Sequence, residues 1–264
     1  MLFEEFAALW RARALLRVLT QREVLARYTG AAGGLGWAYA QPVLTLAAYY
    51  LVFDVVFKMR LGELAPTRSV GIFLVVGVLP WMAFADALQR GMGSLLEVGS
   101  LLQKNPLPPI LFPARSLLAS MVVFAPLLVV MALIYGVGRG VSWCFVALIP
   151  MLILQSALGM VLGYLLAILA AALRDVVQIV SFVLSVGTFC SPILFPVAMF
   201  PAAWQWVLWL NPMTPFVLAY QAVLLEGAWP SLAAGIAMVV WLVVGSGLLA
   251  LALRRSRDQL VDWL

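Results

Sequence analysis

Residues 116–135 read SLLASMVVFAPLLVVMALIY, an apolar run without one charged side chain. About 20 such residues, wound as a helix, reach across the hydrocarbon core of a bilayer. Working outward from this run, the pattern recurs at Trp37–Phe57, Val70–Gln89, Val141–Leu173, Val176–Leu194 and Leu232–Leu253. The fold class is therefore an all-α membrane protein with six transmembrane helices, in a single domain covering residues 1–264. Breakers separate the spans: Lys58 and Arg60 after the first, Arg174 and Asp175 between the fourth and fifth, Arg254, Arg255 and Arg257 after the sixth. Pro80 predicts a kink in span two. Gly136–Gly140 predicts a tight turn, and span four is long enough to tilt or to extend beyond the bilayer.

The whole chain supports this class. Of its 264 residues 65% are apolar and 10% charged, with a mean hydropathy of +1.09. A soluble domain is about half apolar and a quarter charged. Little chain remains for a nucleotide-binding domain, and the phosphate-cradling pattern G-x-x-x-x-G-K-[ST] is absent. If ATP drives the protein, another chain binds it. There is no His, which excludes His-based metal sites and Ser–His–Asp chemistry. Cys144 and Cys190 stand isolated in apolar stretches and are expected to be inert thiols; no metal site is predicted. The net charge of +5 points to a membrane surface rather than to nucleic acid.

Two segments do not read as spans. In residues 1–36, Leu2, Phe3, Phe6, Leu9 and Trp10 share one helical face, and Leu15, Leu16 and Leu19 another, out of phase with the first. A bent amphipathic element lying in the membrane interface is expected there. In residues 195–227, Pro196, Pro201, Pro212 and Pro215 divide an apolar stretch that carries Trp204, Trp206 and Trp209. Two short re-entrant helices in the outer leaflet are expected. Twelve Lys and Arg then fall on the side of the termini and four, Lys58, Arg60, Arg68 and Arg139, on the other. Basic residues stay in the cytoplasm, so both termini are predicted to be cytoplasmic.

Two acids lie near span ends, each with a base four residues on: Asp54 with Lys58, and Asp86 with Arg90. That order favours intrahelical ion pairs and leaves no unpaired acid for ion-coupled transport. Aromatic residues carry a functional signal. Tyr39, Tyr49, Tyr50, Phe53 and Phe57 cluster on span one, and Gln178, Phe182, Ser185 and Phe189 follow one face of span five. Rings stack on sugar faces, and Tyr, Gln and Ser bond hydroxyls, so these residues are candidates for a glycan channel. The cytoplasmic loop 91–109 is the candidate contact for a soluble partner. A short helix there would offer Leu95, Leu96, Leu101 and Leu102 as apolar anchors, with Glu97 and Lys104 at the rim.

The chain resembles the membrane subunits of ABC exporters for cell-surface polysaccharides, the O-antigen, teichoic acid and capsule exporters. The likeness rests on ordered motifs. These are R-Y-x-x-x-x-x-G-x-x-W from Arg27 to Trp37, G-V-L-P-W from Gly77 to Trp81, and K-N-P-L-P-P-I-L-F-P-A-R from Lys104 to Arg115. They continue with R-D-V-V-Q-I-V from Arg174, S-P-I-L-F-P from Ser191 and L-N-P-M-T-P from Leu210. Where many relatives carry R-E after F-P, this chain has Ala114-Arg115, so no role carries over to Arg115. The resemblance implies a permease homodimer in a bacterial inner membrane, bound to two copies of an ATP-binding cassette subunit. The partner would bind ATP and Mg, this chain no cofactor. A lipid-linked polysaccharide would move outward through a channel at the dimer interface, with loop 91–109 as the ATPase coupling element. The alternative within the same fold is export of a small lipophilic drug or a lipo-oligosaccharide. A membrane-embedded transferase would need a carboxylate cluster, and an ion channel a filter-like loop; the spans offer neither.

Overall fold

The computed structural model describes residues 2–62, 65–105, 107–139, 143–256, 259–260 and 263. Three features read from the sequence fall partly outside the described residues: the Gly140 end of the predicted turn with the start of span four at Val141, Pro106, and Arg257. Among the described residues every regular element is helical. Five helices among the described residues are long and apolar enough to cross a membrane.

The N-terminal segment is bent, as its two faces require. Helix α1 (Leu2–Arg11) and α2 (Arg13–Ala26) meet at Ala12, whose φ of -90° and ψ of 16° break the helix. The first crossing is α3 (Gly36–Tyr50), which loosens into a π-helical turn over Leu51–Val56. The second is α4 (Val70–Gly93), capped by the Ser69 hydroxyl accepting from the Ile72 amide. A short helix, α5 (Gly99–Lys104), follows, then the third crossing, α6 (Leu111–Arg139). This helix begins five residues before the predicted span and runs on through Gly136. The fourth crossing is α7 (Leu148–Ala172), and the last is α11 (Leu232–Ser256).

The predicted fifth span differs. Helix α8 covers only Asp175–Gly187, 13 residues, short of the about 20 that a crossing needs. Ser191-Pro192 gives the reason, since a proline lacks the N–H that would continue the helix. The chain turns inward instead, and Ser191 and Ile193 are fully buried. Side chains from farther on hold the freed backbone: Asn211 Nδ2 donates to the Gly187 carbonyl at 3.2 Å and Gln221 Nε2 to that of Pro192 at 2.7 Å.

Residues 195–227 hold two short helices, α9 (Gln205–Leu208) and α10 (Thr214–Gln221), the latter extended by a π turn to Glu226. Gly227 ends it at a φ of +67°, a left-handed conformation that glycine adopts without strain. Trp204 and Trp206 are exposed, whereas Phe216, Val217 and Val223 of the second piece are wholly buried. That second piece packs on α4, α7 and α11.

Helix α4 is the axis of the bundle, against which α3, α6, α7, α8 and α10 all pack. Its contact with α7 is close because two glycines face each other. A Cβ on Gly91 would lie 3.2 Å from the Gly163 Cα. At Pro80, Gln155 Nε2 donates to the proline carbonyl at 3.0 Å, and Gln155 Oε1 accepts from the Tyr220 hydroxyl at 3.0 Å. A buried polar group without such partners would cost about 1–3 kcal/mol, so α7 and α10 are tied to the middle of α4.

Candidate functional site

Gln41, Thr45 and Tyr49 recur every four residues along α3 and so share one face. They line a cavity of about 470 Å³ together with Trp81, Gln89 and Arg90 of α4, Ser185 of α8 and Thr188 just past its end. Its walls bring these amides, hydroxyls and rings together with the charged Arg27 and Asp86 and the apolar Val78, Met82, Val123 and Leu184. Gly187 lets the Trp81 ring approach: a Cβ there would lie 2.7 Å from the indole.

One end of the cavity is bounded by Arg27, Asp86 and Arg90. These belong to a chain of charges that joins four segments. Asp86 of α4 accepts from Arg90 Nε at 2.8 Å and lies 3.5 Å from Arg27 Nη1. The Ser120 hydroxyl of α6 also donates to Asp86. Arg27, just past α2, pairs with Glu23 at 2.9 Å and donates to the Ser116 carbonyl of α6 at 3.3 Å. Glu23 meets Arg115 of α6 at 2.9 Å, and Arg115 reaches Glu97 at 3.2 Å. The line Glu97–Arg115–Glu23–Arg27–Asp86 thus leads from the segment before α5 to the lining of the cavity. Its middle is shielded, since the Arg27 side chain is only 7% exposed, so water screens these pairs weakly.

The far end of α3 carries a separate clamp. Asp54 does not pair with Lys58, as its helical spacing suggested. It pairs with Arg60, and accepts from Ser69 Oγ at 2.6 Å and the Gly71 amide at 2.7 Å. Lys58 has a φ of +51°, where the helix has already ended, so the i+4 geometry is lost. The Asp86–Arg90 pair forms as expected, but within the larger network.

Of the predicted channel residues, Tyr49 and Ser185 line the cavity. Tyr39 faces away from it, its hydroxyl donating to the Val122 carbonyl at 3.1 Å. Tyr49, Phe53 and Phe57 form a ladder with ring centroids 6.4 and 6.2 Å apart. Tyr50, Phe57, Phe182 and Phe189 are exposed on the outside of the chain, as is Gln178. Gln41, Thr45, Gln89 and Thr188 also line the cavity and lie outside the aromatic pattern of the sequence. The polar period Gln41–Thr45–Tyr49 was the available signal.

In loop 91–109, Leu95 and Leu102 face inward rather than outward as anchors for a partner would. Both are buried in a cluster with Ile110, Leu111 and Tyr164. Burying two leucines at home is worth about 1.5–3 kcal/mol each, and it seats the segment on the bundle. Leu101, Glu97 and Lys104 remain exposed, and Leu96 partly so. Among the described residues no group of His, Cys, Asp and Glu could hold a metal ion.

Comparison with known proteins agrees with this architecture. The model of the family described as ABC-2 type transporter matches residues 14–225. The O-antigen export system permease protein RfbA of Myxococcus xanthus is 30% identical over 227 residues, 84% of each chain. The protein of the same name from Klebsiella pneumoniae is 25% identical, covering 81% of each. The polysialic acid transport protein KpsM of Escherichia coli is 24% identical over 80% of this chain and 82% of its own.

Proposed function

The chain belongs to the ABC-2 type transporter family, and on that premise we propose that it is the membrane subunit of an ATP-driven exporter of cell-surface polysaccharide. The cargo is an O-antigen-like, lipid-linked glycan moving outward across a bacterial inner membrane. The observation that carries this reading is the cavity lined by Gln41, Thr45, Tyr49, Trp81, Ser185 and Thr188. Such side chains bond sugar hydroxyls and stack on pyranose faces. A small lipophilic cargo would be served by an aliphatic path, so the polar lining favours the glycan.

A polymer is too long to be enclosed, so it must be threaded past many weak contacts. Two copies of this chain, each with an ATP-binding cassette subunit, would form the path. The exposed Tyr50, Phe182 and Phe189 would then face the second copy. ATP and Mg belong to the partner, and this chain needs no cofactor. The termini and loop 91–109 are placed in the cytoplasm by their share of basic residues. Helices α1 and α2 lie in the interface, where the exposed Phe3 and Trp10 meet headgroups. Helix α8, too short to cross by itself, would complete the fifth of six crossings together with the buried turn that follows it, and 195–227 would dip into the outer leaflet and return. Force from the ATPase enters at Leu101, Glu97 and Lys104. It passes along the ion pairs to Asp86 in the cavity lining.

The test is complementation of an export-deficient strain with this chain and its ATPase, reading surface polymer. Tyr49→Ala and Gln41→Leu should each lower export about fivefold, the worth of one contact of about 1 kcal/mol, with ATPase co-purification intact. Leu133→Ala, on an exposed aliphatic face, should change nothing. Equal effects at all three would move the path elsewhere. Labelling of Ser100→Cys from outside intact cells would reverse the orientation.

A further inference from the structure

On the other side of α3 lies a second recess, of about 810 Å³, between α2 and α6. Its floor is aliphatic, built from Leu118, Met121, Val122 and Ala125 of α6. Counted from Ser116, where the apolar run begins, Leu118 stands about 3 Å and Ala125 about 14 Å along the axis, so the floor runs from the edge of the span into hydrocarbon depth. The rim is cationic, with Arg13 and Arg17 one helical turn apart on α2. Unlike Arg27, Arg90 and Arg115, neither has an acidic partner among the described residues. Arg13 is steadied over the Trp10 ring at 5.5 Å, and donates to the Trp10 carbonyl at 3.4 Å. Two unpaired guanidinium groups beside an apolar floor at membrane depth call for an anion with a greasy tail.

We propose that this groove binds an anionic glycerophospholipid of the surrounding bilayer, its phosphate between Arg13 and Arg17 and an acyl chain along α6. The ligand is a resident of the bilayer rather than the cargo. The groove shares no lining residue with the transport cavity. The Tyr39–Val122 hydrogen bond closes the α3–α6 seam between them. Held there, the lipid fixes α2, which carries Glu23 of the ion-pair chain. The proposal rests on α6 spanning the bilayer, and not on the nature of the cargo.

The experiment is native mass spectrometry of the chain with its ATPase in a neutral detergent, with phosphatidylglycerol or phosphatidylcholine added. The wild type should retain phosphatidylglycerol in preference. Arg13→Gln and Arg17→Gln should each lower that retention about fivefold, the effect of about 1 kcal/mol per basic residue at a membrane surface. Ala125→Trp fills the floor with the charges intact and should abolish it, in a complex that remains monodisperse. Arg174→Gln, on an exposed base elsewhere, should leave it unchanged. Full retention by Ala125→Trp, or equal loss in Arg174→Gln, would overturn the site in favour of diffuse surface attraction. Displacement of phosphatidylglycerol by an equal concentration of polyprenyl phosphate would overturn it in favour of the cargo. Failed export with lipid retention intact would count against the export reading alone.

Discussion

The two ends of the α3–α4 pair start from the same sequence pattern, an acid with a base four residues on, and finish differently. At Asp86 the local pair forms and becomes one link of a chain through α2, α4, α6 and the segment before α5. At Asp54 the local pair gives way to a clamp on the N-terminus of α4. A helical spacing therefore states which bases an acid can reach, not which it will choose. Where the helix continues, as at Arg90, the neighbour stays in range. Where it ends, as at Lys58, loop backbone and a more distant Arg60 take over. The first arrangement links four segments through shared charges; the second fastens the end of one helix to the start of the next.

The comparison can be broken most sharply at Arg27. Removing it takes a counter-charge from both Glu23 and Asp86, which keep Arg115 and Arg90, a loss of about 2 kcal/mol. Arg27→Ala should lower the melting temperature in detergent by about 5 °C, and a shift within error would show the network to be dispensable. Asp54→Ala comes next. It leaves the Gly71 amide and Ser69 hydroxyl without their acceptor, at about 2 kcal/mol, and should loosen the N-terminus of α4 in hydrogen exchange while ATPase binding persists. Glu97→Gln is smaller still in stability, under about 1 kcal/mol, because Glu97 is 66% exposed. Its effect should appear as lower export with unchanged melting; unchanged export would remove Glu97 from the transmission line. Lys58→Ala should move melting by less than about 0.5 kcal/mol, whereas a loss matching that of Asp54→Ala would restore the local pair.

Much was determined by the sequence alone. Apolar length and breakers placed α3, α4, α6, α7 and α11, because in a bilayer every backbone group must bond within its own helix. The bend at Ala12 followed from two faces out of phase, and the two short helices after Phe195 from the spacing of prolines. Missing histidine and a missing phosphate loop removed whole classes of chemistry. What only the tertiary structure decided were relations between distant elements. Leu95 and Leu102 looked like partner anchors, yet the nearness of Ile110 and Tyr164 turned them inward. Val176–Leu194 was apolar enough to cross, yet Asn211 and Gln221 hold its second half as a buried turn. Tyr39 and Tyr49 belong to one aromatic run, yet α6 takes one and the cavity the other. Hydropathy is a sum over neighbours along the chain and registers burial from water. Which partner a buried group finds depends on distances that only the packed bundle sets.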